Sequence, residues 1–409
     1  MARHVNLVLL LLGLILSPSL GEIDERERDP DIDLTVPELI VKYGYPVETH
    51  VVTTEDGYAL GVHRIPHGRN EARHARADRP AVFVQHGLTA SSSCWILNGV
   101  ENSLAYMLAD AGFDVWLGNA RGNVYSRLAT SEHDPDTNDY WKFSWHEGGV
   151  YDLPAVIDHI LETTGQQKVF YVGHSMGTTM FYVMAAERPE YNDKIAAMVS
   201  LAPVAYMSHL DNILVKLLAP ASSQIGWLLN LMGVYEFLPQ SDFLKEIGQL
   251  FCNEDAVFKE LCENVAFLIL GADSKNLDVT KIPFYLNNMP QGCSTRMFVH
   301  YGQEYGSGKF RRYDFGWLQN LINYGSISPP KYDTSKITAP VALFYGDNDN
   351  LADPIDVTRL NGELPNSLGL YKVPQEGFTH LDFIIHADVA SLINEPIIEL
   401  FQKIRNGNK

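Results

Sequence analysis

Gly173-His174-Ser175-Met176-Gly177 is the stretch of this sequence best suited to chemistry. A G-x-S-x-G pattern alone recurs by chance, so its setting carries the weight. The apolar run 168–172 reads as a strand ending at the motif, and 178–186 reads as a helix beginning after it. A serine on so tight a strand-to-helix turn has strained backbone angles, and the flanking glycines remove the steric clash. The turn pushes the hydroxyl outward at a helix N-terminus, whose dipole favours negative charge. Ser175 is therefore the expected nucleophile.

A serine hydroxyl needs a base, normally a histidine oriented by a carboxylate. On a strand–turn–helix serine the chain order is Ser, then Asp or Glu, then His. Beyond residue 330 the histidines are His380 and His386. His380 lies in Gly377-Phe-Thr-His380-Leu-Asp-Phe383, a loop after a strand-like run, where a mobile base belongs. His386 falls in a following helical pattern and reads as structural. For the carboxylate, the run 340–345 ends in Gly346-Asp347-Asn348-Asp349-Asn350-Leu-Ala-Asp353. Spacing does not choose between Asp347, Asp349 and Asp353; the two not used are expected to be turn or cap residues. A tetrahedral intermediate also needs two backbone N–H donors. Met176, just after the nucleophile, would supply one. The loop His86-Gly87-Leu88, after the run 81–85, would supply the other from Leu88. His86 itself reads as a hydrogen-bonder that shapes this loop.

These residues need a scaffold, and the pattern around them describes one. Apolar runs at 81–85, 113–117, 168–172 and 195–201 each end in Gly or a polar loop, and helical patterns at 104–110, 152–161 and 178–186 lie between them. Such alternation indicates a mostly parallel sheet with helices on both faces, an α/β fold. Runs 340–345 and 368–373 add two strands. Residues 49–53 and 58–64, around Glu55-Asp56-Gly57, read as a hairpin. Residues 22–37 are charged and irregular and read as an exposed arm. Between 204 and 330 the alternation stops, and the stretch is rich in Leu, Phe, Tyr and Met. It reads as a helical cap inserted over the carboxyl edge of the sheet. The division is thus a core of 22–203 and 331–409 interrupted by a cap or lid of 204–330.

The charge and the N-terminus narrow the setting. A formal charge of −19 repels phosphate backbones and anionic membranes, which excludes nucleic acid as the expected partner. Residues 5–16 are apolar apart from Asn6 and Gly13, follow a short polar start, and lead to small residues at Ser19 and Gly21. That is the pattern of a secretory signal peptide, residues 1–21, cleaved after Gly21. No later run is long enough for a transmembrane segment. The four cysteines are too few for a disulfide scaffold and form no CxxC metal pattern.

Motifs along the chain resemble the acid lipase family of α/β-hydrolases, the group of gastric and lysosomal acid lipases and many insect digestive lipases. They include Val51-Val-Thr-Thr-Glu-Asp-Gly-Tyr58, Val84-Gln-His-Gly-Leu88, Ala109-Asp-Ala-Gly-Phe-Asp-Val-Trp-Leu-Gly-Asn119, Arg121-Gly-Asn123 and Tyr151-Asp-Leu-Pro-Ala155. Tyr171-Val-Gly-His-Ser-Met-Gly-Thr-Thr179, Leu201-Ala-Pro-Val204, Asp273-Ser-Lys-Asn276, Leu351-Ala-Asp-Pro354 and His380-Leu-Asp-Phe383 complete the set. The resemblance spans about Tyr43 to about Asp388 and implies the α/β-hydrolase fold with a lid.

It also implies a division of roles: Ser175 as nucleophile, His380 as base, Asp349 as acid, and the backbones of Leu88 and Met176 as oxyanion donors. Relatives often carry Gln where this chain has Met176; a backbone donor should tolerate the change. The resemblance further implies a Cys252–Cys262 disulfide, worth roughly 2–3 kcal/mol for so short a loop. Cys94 and Cys293 either pair or stay as buried thiols. No metal or organic cofactor is expected. Relatives usually carry N-glycan acceptor sites, but no Asn-x-Ser/Thr occurs here. That favours a secreted protein over a lysosomal one.

The leading expectation is a secreted lipase hydrolysing carboxylic esters of acyl lipids, triacylglycerols above all, at an oil–water interface. A soluble carboxylesterase or sterol esterase without interfacial activation is the second. A lipid carrier on a hydrolase scaffold is the third. It is disfavoured because Ser175, Asp349, His380 and Gly87 are all present.

Overall fold

A computed structural model describes residues 30–70, 79–210 and 281–407, together with 224, 226, 229 and 233–237. The proposed signal peptide, most of 211–280 and both Cys252 and Cys262 lie outside the described residues.

Eight strands make the central sheet: β1 (Glu48–Thr53), β2 (Ala59–Ile65), β3 (Ala81–Gln85), β4 (Asp114–Leu117), β5 (Val169–His174), β6 (Ile195–Leu201), β7 (Val341–Tyr345) and β8 (Ser367–Lys372). Their order is β1-β2-β4-β3-β5-β6-β7-β8. The first two form the expected hairpin, and β2 joins β4 antiparallel; every other pairing is parallel. All residues of β3, β4 and β5 are buried. This is why they read as unbroken apolar runs rather than alternating ones: helices cover both faces. The chain runs from β3 out to β4 and then returns across β3 to β5. The order therefore reverses between β3 and β5, and a crevice opens there at the carboxyl ends of the strands.

The longer helices among the described residues are α1 (Val36–Lys42), α2 (Leu104–Asp110), α3 (Leu153–Thr164), α4 (Met176–Glu187), α5 (Ile282–Asn288), α6 (Thr295–Ser307), α7 (Trp317–Tyr324), α8 (Pro354–Glu363) and α9 (Glu395–Arg405). Eleven of the twelve residues of α4 are buried. A helix apolar on every side belongs in the interior, and α4 carries the turn at Ser175 into the core.

The exposed-arm reading of 22–37 is corrected over its described part. Ile32 and Val36 are buried, and α1 begins at Val36. The Glu38 carboxylate accepts the Thr35 backbone N–H at 2.8 Å, closing the helix start. Charged neighbours had hidden these apolar anchors. Within 204–330, α5, α6 and α7 are helical, and one short element departs from that pattern. Glu236–Phe237 pairs antiparallel with Cys293–Ser294.

Arg121 ties the fold together beside the crevice. Its fully buried guanidinium lies 2.6 Å from Asp56 Oδ2 and 2.6 Å from Asp152 Oδ1, over the ring of Tyr58. The hairpin turn, the loop after β4 and the start of α3 thus meet at one cation.

Cys94 and Cys293 are free, and both are buried. Burial pushes both thiols up, away from the reactive thiolate. In native protein these two thiols should therefore give no fast reaction with a thiol reagent. In guanidinium, two thiols should titrate if Cys252 and Cys262 are joined, and four if they are not.

Candidate active site

The turn at Ser175 is built by close approach. Ser175 adopts φ 52° and ψ −117°, a left-handed backbone for a residue with a Cβ. Its N–H donates to Leu201 O at 3.0 Å, which locks the turn to the end of β6. A Cβ at Gly177 would sit 2.3 Å from Gln85 O, and one at Gly173 would meet the Gly177 backbone at 2.8 Å. Gly177 is needed because the turn passes directly against the end of β3, and Gly173 because the turn folds back on its own backbone. Such strain persists only where the surroundings over-determine it, and it marks functional sites.

The structure brings Ser175, His380 and Asp349 together. Ser175 Oγ lies 2.8 Å from His380 Nε2, and His380 Nδ1 is 2.9 Å from each Asp349 oxygen. Residues 205 and 31 positions apart in sequence meet because β5, β7 and the loop after β8 all end at the same edge. Asp349 is buried. Burial alone would raise its carboxyl. The His380 ring and the backbone N–H groups of Ala352 and Leu351 outweigh that and hold it below the usual carboxylate range. Asp347 instead accepts the Gly377 N–H at 2.9 Å, and Asp353 caps α8 by accepting the Ile355 N–H at 2.8 Å. These are the turn and cap roles expected for the aspartates not used. His386 is buried at the end of the short helix Asp382–Ile385, where its Nδ1 accepts the Asp388 N–H at 2.9 Å.

Leu88 and Met176 flank Ser175. A Cβ at Gly87 would lie 3.1 Å from Ser175 Cβ, so the loop after β3 packs on the serine itself. Neither Leu88 nor Met176 spends its backbone N–H on another described residue. His86 shapes this loop. The Ala120 N–H donates to its Nε2 at 3.0 Å, so the proton sits on Nδ1, which donates to Gly87 O at 2.7 Å. Asn119 and Asn123 extend the network: Asn119 accepts the Ser92 N–H at 2.8 Å and Asn123 Nδ2 at 3.0 Å.

One contact escaped sequence reasoning. His174, inside the motif, donates from Nε2 to His380 O at 2.9 Å, its ring 5.1 Å from that of His380. The variable position of G-x-S-x-G carries no signal for this, because the partner is a backbone carbonyl 206 residues away.

Residues 36–99 match the partial alpha/beta-hydrolase lipase region, and residues 80–387 match the alpha/beta hydrolase fold. The chain is 42% identical to Lipase 3 of Drosophila melanogaster over 98% of both chains. The chain belongs to the lipases of the α/β-hydrolase fold family. It is 41% identical to gastric triacylglycerol lipase of Rattus norvegicus, across 91% of this chain and 92% of that one. The human gastric triacylglycerol lipase is 38% identical, across 90% and 92%. A Sulfolobus solfataricus structure described as a candidate lipase superposes with a TM-score of 0.57 at 13% identity, over 87% of this chain and 94% of that one, which speaks to the fold alone. The lipase is thus a carboxylic ester hydrolase. Among the described residues no helix is long and apolar enough to cross a membrane.

Three of the buried histidines should contribute to an acid limit for this lipase. Burial pushes His63 and His86 down to about 4, and burial with the nearby His380 pushes His174 down to about 3. The unfolded chain protonates the same groups near pH 6.5. The stability carried by the neutral rings is whole above pH 6.5 and drains as pH falls toward those lower values. Each ring should cost about 1.4 kcal/mol per pH unit in that window. Urea unfolding at pH 6.5, 5.5 and 4.5 would read the slope, and His63→Gln should reduce it by one ring's share.

Proposed function

We propose that the lipase hydrolyses acyl-lipid esters, triacylglycerols foremost, through a covalent acyl-enzyme on Ser175. The supporting observation is the hydrogen-bonded line from Ser175 Oγ through His380 to both oxygens of Asp349. Ser175 Oγ attacks the ester carbonyl carbon while His380 Nε2 takes its proton. The oxyanion that forms accepts the N–H groups of Met176 and Leu88. The tetrahedral adduct collapses, the C–O bond to the alcohol breaks, and His380 returns the proton to the leaving oxygen. Water, deprotonated by the same histidine, then attacks the acyl-serine. The fatty acid departs and Ser175 is restored. Asp349, ionised and fixed, keeps the Nδ1–H tautomer of His380 and stabilises its cation. This chemistry requires no cofactor.

The same reading makes 204–330 the cap over the site and 1–21 a secretory leader, so that the enzyme meets its substrate outside the cell. A cap that opens on lipid gives a kinetic signature. The initial rate on a partly soluble triacylglycerol should climb sharply as its concentration passes the solubility limit. Ser175→Ala should stay flat throughout. A rate that saturates below the limit would assign the protein to soluble esterases instead.

A further inference from the structure

Helix α7 carries an apolar face that nothing in the described structure covers. Trp317, Leu318, Leu321, Ile322 and the following Ile327 are each between 48% and 69% exposed. The first four recur at helical spacing and share one face. The opposite side is anchored. Asn320 is buried, donates to Asp314 Oδ1 at 2.8 Å and to Ile327 O at 3.1 Å, and accepts the Phe315 N–H at 2.9 Å. Tyr324 Oη donates to Tyr313 O at 2.9 Å. The helix is therefore held firmly with its greasy side outward. The other exposed large apolar side chains among the described residues stand singly along the sequence, which is ordinary; a contiguous patch is not.

Charge decides what such a patch can meet. Residues 315–330 contain no Asp, Glu, Lys, Arg or His, in a chain of net charge −19. An acidic protein gains nothing from an anionic bilayer, and the patch offers no cation to hold one. A second copy would set one chain of net charge −19 against another. A neutral or zwitterionic lipid surface carries neither penalty and takes up Trp, Leu and Ile side chains at its boundary. The patch is also tied to the site. The preceding helix α6 places Tyr301 Oη 2.9 Å from Thr179 Oγ1, within the first turn of α4 after Ser175.

We infer that the exposed face of α7, with Ile327, is a docking surface that seats the enzyme on neutral lipid. This rests on the lipase reading above and adds to it an anchor of stated residues, on a helix that lies within the cap segment 204–330.

The test uses full-length protein in a Ser175→Ala background, so that adsorption is read without turnover. The probe is a triolein emulsion stabilised by phosphatidylcholine, with bound protein separated by flotation. Trp317→Ser/Leu321→Ser/Ile322→Ser should adsorb at least tenfold less than its parent, and Leu318→Glu alone should fall in the same direction. With Ser175 restored, both variants should hydrolyse a dissolved short-chain ester at the parent rate, showing that the fold is intact. Unchanged adsorption of both variants would overturn the inference. So would a parent that sediments as a dimer and variants that sediment as monomers, because a second copy would then cover the patch. If the parent fails to hydrolyse the dissolved ester, the lipase reading falls, while flotation still reports on the patch.

Discussion

Ser175→Ala should lower kcat on any ester by about 10⁵-fold or more, while the fold and lipid adsorption persist. Removal of a triad serine in other hydrolases costs on this order. Here the loss follows from geometry: Ser175 Oγ is the atom that His380 Nε2 addresses at 2.8 Å. Asp349→Asn should cost about 10⁴-fold, because an amide can present its N–H to His380 and force the wrong tautomer. The double variant should be scarcely worse than Ser175→Ala, since the line works as a unit. Steady-state rates with a chromogenic ester, together with active-site titration by a serine-directed phosphonate, separate these cases. Residual activity of a tenth in Ser175→Ala would remove the serine from the mechanism.

Arg121→Leu should destabilise the fold by about 3–5 kcal/mol, as expected when one partner of a buried ionic cluster is lost. Asp152 is fully buried and would keep a charge with nothing to balance it. Burial already raises that carboxyl against the pull of Arg121. Native stabilities of about 5–15 kcal/mol make this a large share. Lysine should not rescue it fully, because the fork that reaches Asp56 and Asp152 together is particular to arginine. Activity should suffer alongside stability. The loop held by Arg121 continues to Asn123, which touches His86 at the base of the Leu88 loop. Urea melts of the three proteins would check this, and a loss under 1 kcal/mol for leucine would count against it.

What could be read without coordinates follows from how local each signal is. The bounds of β6 and α2 match the apolar and helical runs to the residue, in β6 because burial on both faces leaves a nearly unbroken apolar run. The serine turn was legible because strand, glycines and helix lie within a few residues of one another. The three aspartates after β7 were not separable, since which one faces His380 depends on how the loop folds back, with Leu351 and Ala352 capping Asp349. Ile32 was lost among charged neighbours, and its backbone is held by a partner 255 residues away, where Asn287 donates to its carbonyl. Arg121 was visible only as part of a motif. Its two carboxylates come from segments 65 and 31 residues distant.

The left-handed backbone of Ser175 sets durability against activity. A glycine there would relax the turn at little steric cost, so on the proposed mechanism the change that eases this turn is also one that ends catalysis. Selection for survival alone, in a laboratory screen or in a gene freed from its duty, would drift toward losing the hydroxyl. Only continued demand for product keeps a serine in so uncomfortable a position.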